Sequence, residues 1–499
     1  MNKWIRGLTV LAALVAGAPA LAQGSAGAAA PASSQKTALQ LMLQKGVITQ
    51  AEYDAAVAGS TEGAVKEIRE TVVVQATPKV DAPPVTSKWS ATMYGFIEAD
   101  YIYDSTQSFA DLAGNGVIAA HGYAATNHRM QMSVRNTRLG FRLAAPEWGN
   151  VKSTANLEMD FFGNQPGSPP AFSEGAFFNN PGFRIRHAYM KLETPVVDLL
   201  FGQTWELFGW QSYFHPNTVD LQGVPGQIYS RTIQARISKT LRTEDVTVDI
   251  AVPASRPPQR DAYVPDLQGG VKLSLNNWKG VATAGGTGTS IVPAAIGLSG
   301  TWRRFQVQQP LAALGNPNTS EVTTGWGYSV DVLLPIVPVH GGNRGNGLTF
   351  TGSFANGSGI ADLYTGLNGG LASTVSAPGL TPATGYVANV DPGLVAFSAN
   401  GSLHTIAWRS FIVGLQYYLP PAGRVWVSAN YSNMYSSNIG SFANPANVFD
   451  RSNWADANVF WDATNAIRFG AEYAWFRQNR ANGDQATNNR VQFSAYYLF

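Results

Sequence analysis

The chain has 499 residues, of which 13% are charged, and it contains no cysteine. Soluble domains carry about 25% charged residues, and a chain without cysteine has neither a disulfide framework nor thiolate chemistry. Lys plus Arg number 34 and Asp plus Glu 32, a balance that offers no basic surface to a nucleic-acid partner.

Residues 1–22 begin with Lys3 and Arg6, run through an apolar stretch from Leu8 to Ala18, and reach the small-residue motif Ala20-Leu21-Ala22. This order predicts a secretory signal peptide. Without its two cations, 32 basic and 32 acidic residues remain. No later segment supplies the ~18 consecutive apolar residues of a helical span, so a membrane-bound form requires a closed barrel, whose strands satisfy one another's backbone groups.

Residues 23–88 read as a short helical periplasmic segment followed by a linker. Gly, Ala and Ser dominate to 34, and residues 39–56 suggest a helix, a break at Gly46 and a second short helix. Thr49 and Glu52 have capping-box spacing. Val65, Ile68 and Val72 fit a helix-association seam and a solvated amphipathic turn equally well. Pro78, Pro83 and Pro84 stiffen the approach to the first strand.

From 89 to 499 the chain is expected to be all-β, a transmembrane antiparallel barrel of about 16 strands. The first eight strands fall near 91–104, 131–145, 150–162, 183–193, 197–205, 228–240, 244–252 and 267–276. The second eight fall near 294–306, 325–334, 347–356, 404–419, 423–434, 454–462, 465–477 and 489–499. Connections after odd strands are long, as at 105–130, 163–182, 206–227 and 357–403. Those after even strands are mostly tight, as at Pro146-Glu147-Trp148-Gly149 and Pro420-Pro421-Ala422. Long outer loops alternating with short periplasmic turns are the rhythm of outer-membrane barrels. A 22-stranded transporter would also need a plug domain, for which residues 1–88 are too few.

Alternation assigns the two faces. Ile97, Ala99, Tyr101 and Tyr103 oppose Glu98, Asp100 and Asp104, and Leu139, Phe141 and Leu143 oppose Arg138 and Arg142. Leu157, Met159 and Phe161 oppose Lys152, Glu158 and Asp160, and in the last strand Val491, Phe493, Ala495 and Tyr497 oppose Gln492 and Ser494. An Arg or Lys facing lipid at mid-bilayer costs about 2–4 kcal/mol, so the charged faces must line an aqueous interior. Arg184, Arg186, Arg231 and Arg409 have lipid-side parity and are expected at the outer rim, with an inward-aiming bulge as the competing account. Trp205, Tyr229, Tyr417, Tyr418, Tyr473, Trp475, Tyr496 and Tyr497 lie toward strand ends, where interfacial aromatic girdles form.

The six histidines form no H-E-x-x-H pair, and there is no G-x-S-x-G elbow, P-loop or G-x-G-x-x-G. The sequence therefore points to no catalytic set, metal or cofactor. From 89 onward, 21 Arg and 5 Lys meet 26 acids, so any selectivity must come from placement. Arg138, Arg142, Lys152, Arg236, Lys272, Arg424 and Arg468 have lumen parity. They are expected to form a basic stripe facing Glu98, Asp100, Glu158 and Asp160, or to pair with such acids and stiffen the wall. The aromatic loop at 206–227 is a candidate constriction, with Trp210, Tyr213, Phe214 and His215 at its narrowest part; it could equally lie over the rim or against a neighbouring subunit.

YGFIEADYIYD at 94–104, TRLGFRL at 137–143, ANLEMDFFG at 155–163, FRIRHAYMKLE at 183–193 and LLFGQTWELFG at 199–209 resemble the DcaP-like outer-membrane porins. QKGVITQAEYDA at 44–55 is similar to the pre-barrel piece of the phosphate-selective porins O and P. The likeness covers about 39–240. It implies a sixteen-stranded homotrimeric channel for small, often anionic, organic solutes, although the barrel here lacks a Lys-rich interior. The function expected is a passive porin of the bacterial outer membrane, lipid-facing outside, favouring small organic anions. The alternatives are a barrel hydrolase and a structural or adhesive barrel with a plugged lumen.

Overall fold

The computed structural model describes residues 89–163, 181–220, 223–260, 262–310, 319–371 and 386–499, with scattered positions between 40 and 54. The chain divides into two units, residues 1–86 and 87–499. In the first, Gln40, Leu43, Gln44, Gln50, Ala51, Tyr53 and Asp54 are helical, and the Tyr53 amide donates to the Thr49 carbonyl at 3.0 Å. Glu52, and with it the capping box, lies outside the described residues, as do the signal peptide and most of the helical segment.

The second unit is one sheet closed on itself. Its strands begin with β1 (Ser90–Asp104), β2 (Arg129–Ser133), β3 (Arg138–Ala144), β4 (Lys152–Gly163), β5 (Gly182–Glu193) and β6 (Asp198–Trp205). They continue with β7 (Arg231–Arg242), β8 (Val246–Ser255), β9 (Asp266–Ala284), β10 (Gly288–Gln308), β11 (Ser320–Val337) and β12 (Leu348–Ser358). A small hairpin, β13 (Val395–Phe397) with β14 (Leu403–Thr405), stands apart in the outer loops. The wall resumes with β15 (Ala407–Tyr418), β16 (Val425–Tyr435), β17 (Phe449–Asp462), β18 (Ile467–Arg480) and β19 (Gln485–Leu498).

Pairing of β1 with β19, from Phe96 opposite Leu498 to Asp104 opposite Arg490, seals the cylinder. β2 pairs with the outer half of β1 and β3 with its inner half. They are two pieces of one stave, which leaves a closed antiparallel barrel of sixteen staves among the described residues. All sixteen predicted strands are present, because period-two patterning survives wherever one face meets lipid and the other water. Ile97, Met132, Phe141, Leu298, Trp326, Phe411, Val459 and Phe493 are exposed on the outer face, while Glu98, Asp100, Asp104, Gln492 and Ser494 are buried on the inner face.

Three expectations need correction. Arg184 and Arg186 do not sit on the lipid side. The β4–β5 register slips between Glu158 opposite His187 and Met159 opposite Ile185, leaving Arg186 as the extra residue of a bulge that turns it inward. Of the girdle aromatics, Tyr417, Tyr473 and Tyr497 are exposed, but Tyr418 and Tyr496 are buried inside. Neighbours on a strand point to opposite faces, so each Tyr-Tyr pair sends one ring into the lumen.

Finally, the Gly-rich stretch after 276 is not a plain connection. β9 and β10 continue as a paired hairpin to Ala284 and Gly288, with a register shift at Pro293/Ala294. Its residues Val281 and Thr283 are fully buried. The hairpin bends into the barrel from the short-turn end.

Candidate conduction pathway

One side of the lumen is built by β3, β4 and β5. Arg186 Nε donates to Glu158 Oε1 at 2.6 Å, and its Nη1 donates to Asp160 Oδ2 at 3.0 Å. Arg184 grips Asp160 from Nε and Nη2 at 2.9 and 2.6 Å, the two-pronged geometry that a planar guanidinium offers a carboxylate. Arg138 Nε lies 3.6 Å from Glu158 Oε1. Arg142 stacks over the Tyr94 ring at 4.0 Å and Arg231 over Trp205 at 4.5 Å, both within cation–π range. Five guanidiniums thus gather where Glu98, Glu158, Asp160 and, on the crossing loop, Asp220 are the carboxylates, Asp220 being paired with Arg490. Buried Nε of Arg138 and Nη1 of Arg231 have no hydrogen-bond partner among the described residues.

These groups border a cavity of about 370 Å³ whose lining includes Arg138, Arg142, Glu158, Arg186, His215 and Tyr229. Trp205, His215 and Tyr229 pack edge to face or stacked, with centroids 4.8 to 5.5 Å apart. Burial together with nearby Arg231 and Arg186 lowers His215 to about 3, so it is neutral in ordinary buffers. Burial pushes the Tyr229 hydroxyl up, but Arg186, Arg231 and Arg138 outweigh it and bring it down to about 7.

The segment between β6 and β7 crosses from this side to the opposite wall. Glu472 Oε2 accepts from Thr218 Oγ1 at 2.5 Å and from the amides of Val219 and Asp220 at 2.8 and 2.9 Å. Asn430 Nδ2 donates to the Asn217 carbonyl at 2.7 Å, Ser432 Oγ to that of Pro225 at 2.6 Å, and Arg490 Nη1 to Asp220 Oδ2 at 3.2 Å. A loop would leave its amides unsatisfied inside a barrel; the polar inner faces of β16 to β19 satisfy them.

The inward hairpin meets this loop from the other end. Asn217 Nδ2 donates to the Gly285 carbonyl at 2.7 Å, and the Gly285 amide to the Pro216 carbonyl at 3.0 Å. On the far wall, Arg468 Nη1 donates to the carbonyls of Gly286 and Thr287 at 3.0 and 3.2 Å. A Cβ on Gly286 would lie 2.6 Å from the Tyr496 hydroxyl oxygen, so only glycine allows this approach.

The outer end of the lumen is partly filled by an apolar cluster that joins Phe208, Ile360, Leu363, Tyr364, Trp408 and Phe449 across the outer loops and the inner wall.

The predicted site residues separate into groups. Arg138, Arg142, Glu98 and Glu158 line the cavity, and Asp160 lies behind them on Arg184 and Arg186. Asp100 Oδ1 accepts from Ser494 at 2.5 Å and from Gln492 at 3.2 Å. The acids do not face a separate basic wall, since Glu158 and Asp160 share it. Lys152 is exposed near the short turns, 3.5 Å from Glu147. Arg424 caps the carbonyls of Asp462 and Ala463 there, and Arg236 Nη2 donates to the Trp205 carbonyl at 2.5 Å. Parity fixes a face but not a height along the axis, which is why these three are not brought to the cavity.

Among the loop aromatics, His215 borders the cavity, whereas Trp210, Tyr213 and Phe214 lie against the β9–β11 wall. Trp210 Nε1 donates to the Leu298 carbonyl at 3.0 Å, and the Tyr213 hydroxyl to that of Pro293 at 2.6 Å. Sequence reasoning missed Arg186, Arg231, Tyr229 and the hairpin as site components. The available signal was arginine at lipid-side parity, which a bilayer penalises.

A Ser–His contact relevant to hydrolase chemistry does occur, Ser398 Oγ to His404 Nε2 at 3.2 Å, but Asn400 contacts the serine rather than the imidazole.

No known family model matches the chain, and no curated protein matches it either. Its fold is similar to that of the outer-membrane channel DcaP of Acinetobacter baumannii, with TM-score 0.58 and 18% identity over 82% of this chain and 97% of that one. The anion-selective porin from Comamonas acidovorans aligns with TM-score 0.45 and 11% identity over 83% of this chain and 100% of that one. Salmonella typhi OmpF aligns with TM-score 0.43 and 8% identity over 82% and 97%. The DcaP likeness establishes the fold, a closed antiparallel barrel like that of this outer-membrane channel.

Proposed function

We propose that the chain is a passive channel of the bacterial outer membrane for small hydrophilic solutes, favouring small organic anions, and that it works as a homotrimer of DcaP-like kind. The observation that carries the reading is the gathering of Arg138, Arg142, Arg184, Arg186 and Arg231 against Glu98, Glu158, Asp160 and Asp220 beside the lumen cavity, with Asp220 already paired to Arg490. At physiological salt, charges act over about 8 Å, so an excess of guanidinium governs ions passing at that range. The loop and hairpin that meet near Gly285 narrow the path and keep solutes close to this wall.

Liposome swelling tests the proposal. Vesicles carrying the protein swell faster in a small organic carboxylate than in an amine of equal size, and empty vesicles swell in neither. Equal or reversed rates remove the anion preference, and no swelling at all removes the channel.

A second reading, a barrel whose lumen is plugged, has one observation behind it: the apolar cluster across the outer loops. It predicts normal insertion with no swelling in any solute.

A further inference from the structure

The lipid-facing surface carries a feature that conduction does not use. Arg409 of β15, Tyr435 of β16 and Arg451 of β17 stand in one register row across three adjacent staves. Both arginines are exposed, and each guanidinium reaches the same ring, with Cζ at 4.9 Å and 5.3 Å from its centroid. Neither makes an ion pair among the described residues. Asp450, in the bulge before Arg451, is the acid nearest in sequence. Immediately toward the membrane lie Phe411 and Tyr431, exposed and in ring contact at 5.8 Å, followed by exposed Val413, Leu415 and Tyr417.

Arginine is expensive on a lipid face except near the interface, where it can meet polar groups. Here two of them flank one tyrosine at the long-loop end of the staves, directly above the apolar band. Arg304 of β10, over Tyr263, and Arg477 of β18 occupy comparable outward positions at that end. Asp450, beside the row in the β17 bulge, interacts electrostatically with Arg451, and the alternating outward positions of the described staves carry no other carboxylate. Arg409 and Arg451 lie two strand spacings apart, about 9.6 Å. A phosphate above the edge of Tyr435 is therefore within reach of both side chains, each of which can bind its oxygens in a two-pronged manner. The apolar staves beneath would receive the acyl chains of the same molecule.

We infer that the Arg409–Tyr435–Arg451 row is a docking site for the phosphate of a phosphorylated glycolipid of the outer leaflet. The occupant is a lipid and not a solute anion, because the row points away from the lumen and stands on an acyl-chain surface. The inference requires the outer-membrane location but not the anion preference of the channel.

The test uses the full-length protein in detergent, titrated with bisphosphorylated lipid A, the same lipid after dephosphorylation, and inorganic phosphate. It compares wild type, Arg409→Gln/Arg451→Gln and the turn-end control Lys239→Gln. Losing charge-assisted bonds of this kind predicts about tenfold weaker binding of lipid A by the double variant. Lys239→Gln retains wild-type affinity, and dephosphorylated lipid and inorganic phosphate bind more weakly to the wild type. Equal affinity for the dephosphorylated lipid, or no loss in the double variant, overturns the site. Inorganic phosphate binding as tightly as lipid A makes it an ion site, and a change in oligomer mass makes it a subunit contact; either also overturns it. A heat-shift gel confirms that the variant is folded. Its channel current should equal wild type, so a failed channel and a failed lipid site are told apart.

Discussion

Arg186 donates from Nε to Glu158 Oε1 at 2.6 Å, although simple alternation from Met190 and Ala188 would send its side chain into lipid. The bulge in β5 converts a costly outward cation into the centre of an inner cluster that also holds Asp160, Arg184 and Arg138. Breaking a buried pair by removing one partner costs about 3–5 kcal/mol, because a charge is left uncompensated. Arg186→Ala should accordingly lower the heat-shift midpoint of the barrel markedly, and Arg186→Lys should recover part of the loss. An unchanged midpoint for Arg186→Ala would mean that the cluster contributes little.

Tyr229 is where the proposed channel is expected to sense pH. With the phenol held at about 7 by Arg186, Arg231 and Arg138 against the opposing effect of burial, it is neutral below that pH and anionic above it. A phenolate cancels one guanidinium, so anion preference should fall as pH rises through 7. His215, lowered to about 3 first by burial, keeps its neutral form across this range and adds nothing. Reversal potentials measured from pH 5 to 9 should decline for wild type and stay flat for Tyr229→Phe; a matching decline in the variant assigns the effect elsewhere.

Glu472 pins the crossing loop through Thr218, Val219 and Asp220. Orphaning a buried donor costs about 1–3 kcal/mol; Glu472→Ala takes the acceptor from the Thr218 hydroxyl and leaves the Val219 and Asp220 amides only their second bonds, to Asn458 Oδ1 at 3.0 Å and Thr218 Oγ1 at 3.3 Å. Single-channel records of that variant should show larger, noisier current, with Glu472→Gln closer to wild type because it keeps an acceptor. Identical noise in all three would show the loop to be held by its other contacts.

Arg468 does the same for the hairpin at Gly286 and Thr287. Arg468→Ala should raise conductance without altering charge preference at the Arg138 side. A pure change in selectivity, with conductance preserved, would argue that Arg468 itself is a pathway charge.

The staves were legible because TRLGFRL, ANLEMDFFG and VQFSAYYLF alternate at period two, and a barrel between lipid and water enforces that period on both faces. The inner positions of Arg138, Arg142, Glu98 and Glu158 followed from the same pattern. Height along the axis did not, so Lys152 and Arg424 fell at the short turns. The bulge at Arg186 was open only as the competing account to a place at the rim, because choosing between the two depends on a cross-strand register that neighbouring residues do not encode. The hairpin was hidden for a different reason: a run such as Gly280 to Gly288 looks like a turn whether it ends a sheet or extends it. Trp408 and Phe449, at the outer ends of β15 and β17, meet in the outer apolar cluster with Ile360, Leu363 and Tyr364 of a loop that carries no periodic signal.

The most direct test of the account is the zero-current potential of a planar bilayer holding the purified protein across a potassium chloride gradient. An anion-selective potential at pH 6, reduced when Arg138 and Arg142 are both replaced by alanine, is the result predicted. A cation-selective potential, unmoved by that double replacement, would contradict it.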